Sequence, residues 1–298
     1  MRIAWVIVLL MLMSSCFTGI EGTRRISESD VRRHSGNERD MEENYLGNIL
    51  PLPPHAWLPG KRILVTDERF GRLTGRMSAA VLPAELRFVR FEPARTLTGD
   101  DATDIVFNDT EGRQVIVRDN RSMQTMDTVA ALVIPFTVDP DIASACDSVM
   151  RGHTFYISSS LWYDAEGQAL TGRRHVAVKI DSVSPGDDNY AAYVHFTDKG
   201  HRYVKMNVGA DGGTRTFNRL FSLTDPRKRY PAIHNEDWEL ITQGKVRQGM
   251  SRDECRLALG APASVLRTPS TAGMREMWTY QDGVYLIFED GMLDTFRL

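Results

Sequence analysis

The chain is short of cysteine, of net charge and of recognisable catalytic motifs, and each shortage closes off a class of function. Three cysteines stand in 298 residues, Cys16, Cys146 and Cys255. With Cys16 set aside for the reason given below, Cys146 and Cys255 remain. An oxidising compartment would let them pair, but both fall on apolar helix faces, where two buried free thiols are expected. A nucleophilic cysteine needs an exposed, electropositive site with a histidine in reach, which neither position offers. The net charge of −3, from 36 basic and 39 acidic residues, lacks the basic excess of a nucleic-acid binder. No His-Glu-x-x-His, Gly-x-Ser-x-Gly or phosphate-loop pattern is present, and Ser158-Ser159-Ser160 has no base in register. The seven histidines are scattered; His195 and His201 flank a hairpin and would make at best an incomplete metal site. No enzyme, metal or cofactor is expected.

What is present begins with the N-terminus. Arg2 precedes an apolar run from Ile3 to Met13, too short to span a bilayer comfortably but right for the apolar region of a signal peptide. Met13-Ser14-Ser15-Cys16 resembles a lipobox, in which small residues precede a cysteine that is lipidated after cleavage. Met13 stands where such motifs usually carry leucine, and a plain signal peptide is the alternative. Residues 17–50 carry interleaved charges and few large apolar residues, the composition of a disordered tether. Pro51-Leu52-Pro53-Pro54 is an extended entry to the folded part.

The last sixty or so residues carry the clearest local signals. A short helix ends near Gln243, and a turn runs from Gly244 to Met250. Ser251-Arg252-Asp253-Glu254 is a capping box opening a second helix, with Met250 and Cys255 as its hydrophobic staple. Gly260 and Pro262 end that helix. Strands follow at Glu276–Gln281, Val284–Glu289 and Met292–Leu298, joined by Asp282-Gly283 and Asp290-Gly291 as two-residue turns. The pattern is an ααβββ unit. Gly244, Val246, Gly249-Met250-Ser251, Glu254, Leu259-Gly260-Ala261-Pro262, Trp278-Thr279-Tyr280 and Phe288-Glu289-Asp290-Gly291 resemble the SmpA/OmlA (BamE-like) family of small outer-membrane lipoprotein domains. The resemblance implies an envelope lipoprotein with a structural or assembly role and no catalysis.

Between tether and tail the chain repeats itself over about 85 residues. Gly60-Lys61, Arg62–Thr66, Leu86–Phe91, Ile105–Asp109 and Gln114–Val117 find counterparts in Gly152-His153, Thr154–Ser158, Val176–Ile180, Tyr193–Asp198 and Tyr203–Met206. Phe107 matches Phe196, and Val115 matches Val204 with one residue of slip. The joins match too: Phe136-Thr137-Val138-Asp139-Pro140 leads into a helix, and Phe221 to Pro226 is its counterpart. Short strands with closely spaced turns suggest small barrels, and the units resemble bacterial SH3-like barrels.

The expected organisation is a lipoprotein signal peptide over 1–16, a tether over 17–50, β-barrel repeats over 51–140 and 141–226, and the module over 227–298. The fold class is mixed: two small all-β SH3-like barrels and an α+β tail. Binding is expected through aromatics, which enrich binding surfaces: Trp162 and Tyr163, with Tyr190, Tyr193 and Tyr203, in the second unit, and Trp278, Tyr280 and Tyr285 in the module. The expected function is a lipid-anchored scaffold of the outer membrane that faces the periplasm and contacts outer-membrane or periplasmic proteins. Binding of peptidoglycan peptide or glycan through the barrels is the alternative.

Overall fold

The computed structural model describes residues 41–74, 82–209, 215–270 and 273–298. The expected signal peptide, Cys16 and the front of the tether lie outside the described residues.

Five strands build the first unit: β1 (Arg62–Val65), β2 (Ala84–Arg95), β3 (Asp101–Asp109), β4 (Gln114–Asp119) and β5 (Thr137–Val138). They form an antiparallel sheet in the order β4-β3-β2-β1-β5. The pleat sends alternate residues to one side, so Ile63, Val65, Leu86, Phe88, Ile105, Phe107, Val115 and Val117 share a core with Trp57 and Phe70.

The second unit contains β6 (Thr154–Ile157), β7 (Leu161–Tyr163), β8 (Ala169–Thr171), β9 (Val176–Pro185), β10 (Ala192–Thr197), β11 (His201–Met206) and β12 (Phe221–Ser222), in the order β12-β6-β9-β10-β11-β7-β8. Without the β7–β8 hairpin, this is the first sheet strand for strand. The likeness extends to single hydrogen bonds. Gly60 N–H donates to Phe88 O and Phe88 N–H to Lys61 O; Gly152 N–H donates to Ile180 O and Ile180 N–H to His153 O. Each sheet also bulges just after that residue, at Val89 in β2 and Asp181 in β9. The registers make Val117, two residues beyond Val115, the partner of Val204.

Neither sheet is a closed barrel. Closure would require the two edges to meet. In both units the last strand has two residues and pairs beside the first strand, β5 on β1 and β12 on β6, which leaves the sheet an open row.

The helix Pro140–Met150 joins the units. Asp139 caps it by accepting from Asp141 N–H, and proline at the first position suits its fixed φ. Its apolar side, Ile142, Ala143, Cys146 and Met150, lies in the core of the second unit. Its first turn faces the first unit, where buried Lys61 reaches Asp139 at 2.7 Å and Asp141 at 3.3 Å. At its other end Asp147 accepts from Val183 N–H of β9 at 2.6 Å.

The tether does not extend to residue 50. Residues 41–44 form a helical turn, and Leu46 and Tyr45 pack on the core of the second unit. Buried Glu42 accepts from Ser222 Oγ at 2.7 Å, Leu223 N–H at 3.0 Å and Arg229 at 2.9 Å. A few apolar contacts and one buried carboxylate with three donors on one oxygen order a segment whose composition reads as solvated.

In the tail, helices Asn235–Thr242 and Arg252–Leu259 share a core with one face of an antiparallel sheet of β13 (Ser264–Ser270), β14 (Gly273–Thr279), β15 (Tyr285–Glu289) and β16 (Met292–Arg297). The capping box at Ser251 and Glu254 is formed, and Asp290 and Gly291 both have positive φ, as a two-residue turn of this kind requires. Two expectations need correction. The sheet has four strands, because Ser264–Ser270 pairs along β14 as an exposed edge. The Asp282-Gly283 turn is a 3-10 turn over Gln281–Gly283.

Two substitutions test this packing. A Cβ at Gly172 would fall 1.9 Å from the buried Trp162 ring, so Gly172→Ala should cost about 1–3 kcal/mol in urea unfolding through overpacking. Glu42→Ala strips three donors of their acceptor and should cost about 1–3 kcal/mol. An unchanged midpoint in that variant would show that residues 41–46 do not dock.

Candidate functional site

Strand register decides which aromatics meet. Tyr193 stands opposite Ser184 and Lys205, and His195 opposite Ser182 and Tyr203, which in turn faces Tyr163 of β7. Alternation sends this set away from the core, while Val183, Val194, Val204 and Trp162 point inward. The result is a partly exposed sheet face on which Tyr163 stacks on Tyr203 at 5.2 Å, Tyr193 lies 5.0 Å from Tyr203, and His195 packs beside Tyr203 at 5.5 Å.

Lys205 lies at the centre of the tyrosines. Its ammonium is 5.0 Å from the Tyr163 ring centre, 5.5 Å from Tyr190 and 5.3 Å from Tyr193, within cation–π range. Asp187 ties the β9–β10 loop to this cluster. One of its oxygens accepts from Asn189 and Tyr190 N–H; the other accepts from Tyr193 Oη at 2.6 Å and Lys205 Nζ at 3.2 Å. Burial pushes the Asp187 pKa up, but these donors outweigh it and hold the carboxyl below its ordinary value. Burial, and then the bond to Asp187, raise the Tyr193 phenol. A cleft of about 230 Å³, lined in part by Trp57, Ile63, Ile134, Asp187 and Tyr190, opens beside the same loop.

The first unit has the same strands and a different face. By register, Asp104 and Arg118 hold the places of Tyr193 and Lys205, and they form a bidentate pair at 2.7 and 2.8 Å. Val106, in the place of His195, is fully buried, and the short helix Met123–Met126 packs on β2 and β3. The same strand arrangement is covered and self-paired in the first unit and open in the second.

Of the eight aromatics expected to bind partners, Tyr163, Tyr190, Tyr193 and Tyr203 meet at this face. Trp162 lies in the core of the second unit, edge-on to Phe196, its indole N–H donating to Ser159 O. Trp278 is buried under the tail helices, and its N–H donates to Glu276. Tyr280 donates to Gly260 O and packs at the rim of that core. Tyr285 lies on the far face of the tail sheet, partly exposed. Sequence reasoning missed Ser184, Asp187 and Lys205. Lys205 stands two positions from Tyr203 on β11, and that period of two was the available signal; Ser184 meets Tyr193 only through the register of β9 with β10.

Cys146 and Cys255 are free and buried. Burial raises each thiol to about 12, with Glu254 adding to the effect at Cys255. Among the described residues no group of three or more His, Cys, Asp or Glu is placed to hold a metal ion, and no helix is long and apolar enough to cross a membrane.

Against protein-family models, curated proteins and solved structures, the chain finds no match.

Thiol state is directly measurable. At pH 8 only about one thiol in 10⁴ at either site is ionised when the pKa is about 12. Iodoacetamide should therefore leave native Cys146 and Cys255 unmodified and alkylate both after denaturation. Rapid labelling of either in the native protein would contradict the buried placement.

Proposed function

We propose that this chain is a non-enzymatic envelope protein, held by lipid on Cys16 at the outer membrane and facing the periplasm, that works by binding. One observation carries the reading: the open, tyrosine-lined sheet face around Lys205, present in the second unit and covered or ion-paired in the first. Rigid rings that expose a flat surface at low entropic cost are what binding sites use. The shared strand order, bulge and hydrogen bonds support the two front units as one SH3-like design used twice. The tail, two helices over an antiparallel sheet with a formed capping box, supports the SmpA/OmlA (BamE-like) reading, with its fourth strand as a departure. That module favours a role in outer-membrane assembly or maintenance through protein contacts.

A second reading has its own observation. The row His195–Tyr203–Tyr163 runs straight across three strands, and such a row of rings suits an extended wall peptide or the faces of a glycan.

Radiolabelled palmitate should be incorporated in cells and lost in Cys16→Ala, with the protein moving to the soluble fraction; equal labelling of both forms would remove the anchor. The Tyr163→Ala, Tyr203→Ala double variant should weaken partner binding by at least about tenfold. Cosedimentation with purified sacculi, sensitive to that variant, would select wall binding. In-cell crosslinks to outer-membrane proteins, lost in the variant, would select assembly. Neither response would overturn the binding face.

A further inference from the structure

At the end of the tyrosine face stand two imidazoles. His195 lies on β10 and His201 at the start of β11, diagonal neighbours across the hairpin. Nδ1 of His195 and Nε2 of His201 are 3.1 Å apart, and the rings lie within 26° of parallel. The other nitrogen of His195, Nε2, is 2.7 Å from Ser184 Oγ. The Ser184 hydroxyl reaches the Pro185 carbonyl at 3.5 Å. In the tautomer in which Nε2 of His195 donates to the Ser184 hydroxyl, Nδ1 turns its lone pair toward His201. A metal-binding histidine is held in this way, with an outer hydrogen bond fixing the tautomer and leaving the other nitrogen to ligate.

The spacing fits a shared ion. Imidazole nitrogens bind zinc at about 2.0–2.1 Å. Two nitrogens 3.1 Å apart then subtend an angle of about 98° at the metal, between the square-planar and the tetrahedral value. Both ligands stand on paired strands rather than on a loop, so the separation is set by the ladder. His201 is exposed, which gives an ion a path from solvent.

We propose that His195 and His201 together bind one divalent transition ion of the imidazole-preferring kind, Cu²⁺, Ni²⁺ or Zn²⁺. The ion replaces the hydrogen that the two rings share, and that hydrogen moves to Nδ1 of His201. The pair supplies two protein ligands. The remaining positions are open to water or to donor atoms of a molecule lying on the tyrosines. This site goes beyond the proposed binding role and stands or fails separately from it.

The test is calorimetric titration of the tag-free full chain in detergent and a non-coordinating buffer, with CuSO₄, NiCl₂, ZnCl₂ and MgCl₂ as probes. One equivalent should bind, with Cu²⁺ tightest and Mg²⁺ giving no heat, the order that nitrogen ligands impose. His201→Ala should weaken Cu²⁺ binding at least tenfold. Ser184→Ala, which leaves both ligands in place, should weaken it by roughly tenfold through loss of the outer hydrogen bond. His153→Ala should change nothing. Electron paramagnetic resonance of the Cu²⁺ form should show coupling to two imidazole nitrogens, reduced to one in His201→Ala. Absence of binding, equal binding of Mg²⁺, or Cu²⁺ binding unaffected by His201→Ala would each overturn the site, whether or not the tyrosine face holds its ligand.

Discussion

The structure depends on where the Pro140–Met150 helix puts its side chains. It is the exit of the first unit in sequence and part of the core of the second in space. Asp139 starts the helix and accepts from Lys61, so the carboxylate that fixes the helix end also fixes its position on the first sheet. The buried ammonium of Lys61 would be costly alone; two carboxylates make it tolerable. Asp147 does the same at the far end with a backbone N–H of β9. The two units are therefore joined by a packed element and not by a linker.

This rigidity matters because the open face lies beside the join. The β9–β10 loop borders the cleft between the units and, through Asp187, holds Tyr193 and Lys205 in place. The two sheets share one strand order, and different residues at equivalent positions give them different surfaces. An arginine–aspartate pair and a short covering helix closed one copy. Rings, a lysine and an added hairpin carrying Tyr163 left the other available.

Much of this was legible because it is local. Gly60 and Gly152, the alternating runs after them, and the Asp-Pro starts of two helices declare the repeat residue by residue. The capping box at Ser251 needs no partner beyond Glu254. What escaped depended on distance. Glu42 reads as one charge among many, and the donors to its carboxylate lie about 180 residues away. Trp162 and Tyr163 are neighbours on opposite faces of one strand; alternation predicts the split but not which face is core. Ser264–Ser270 lacks an apolar alternation because all that is visible of it is exposed, and only the register with β14 reveals it as a strand. The barrels failed for a related reason: turn grammar counts strands but does not say whether the last meets the first.

That outermost tail strand bears a hazard and its remedy together. An uncovered sheet edge invites a second copy to extend it. β13 is such an edge, with Val265 and Leu266 exposed along it. Pro269 has no N–H to offer a newcomer and interrupts the row of donors near its end. A single imino acid thus makes this edge a poorer template for a second copy.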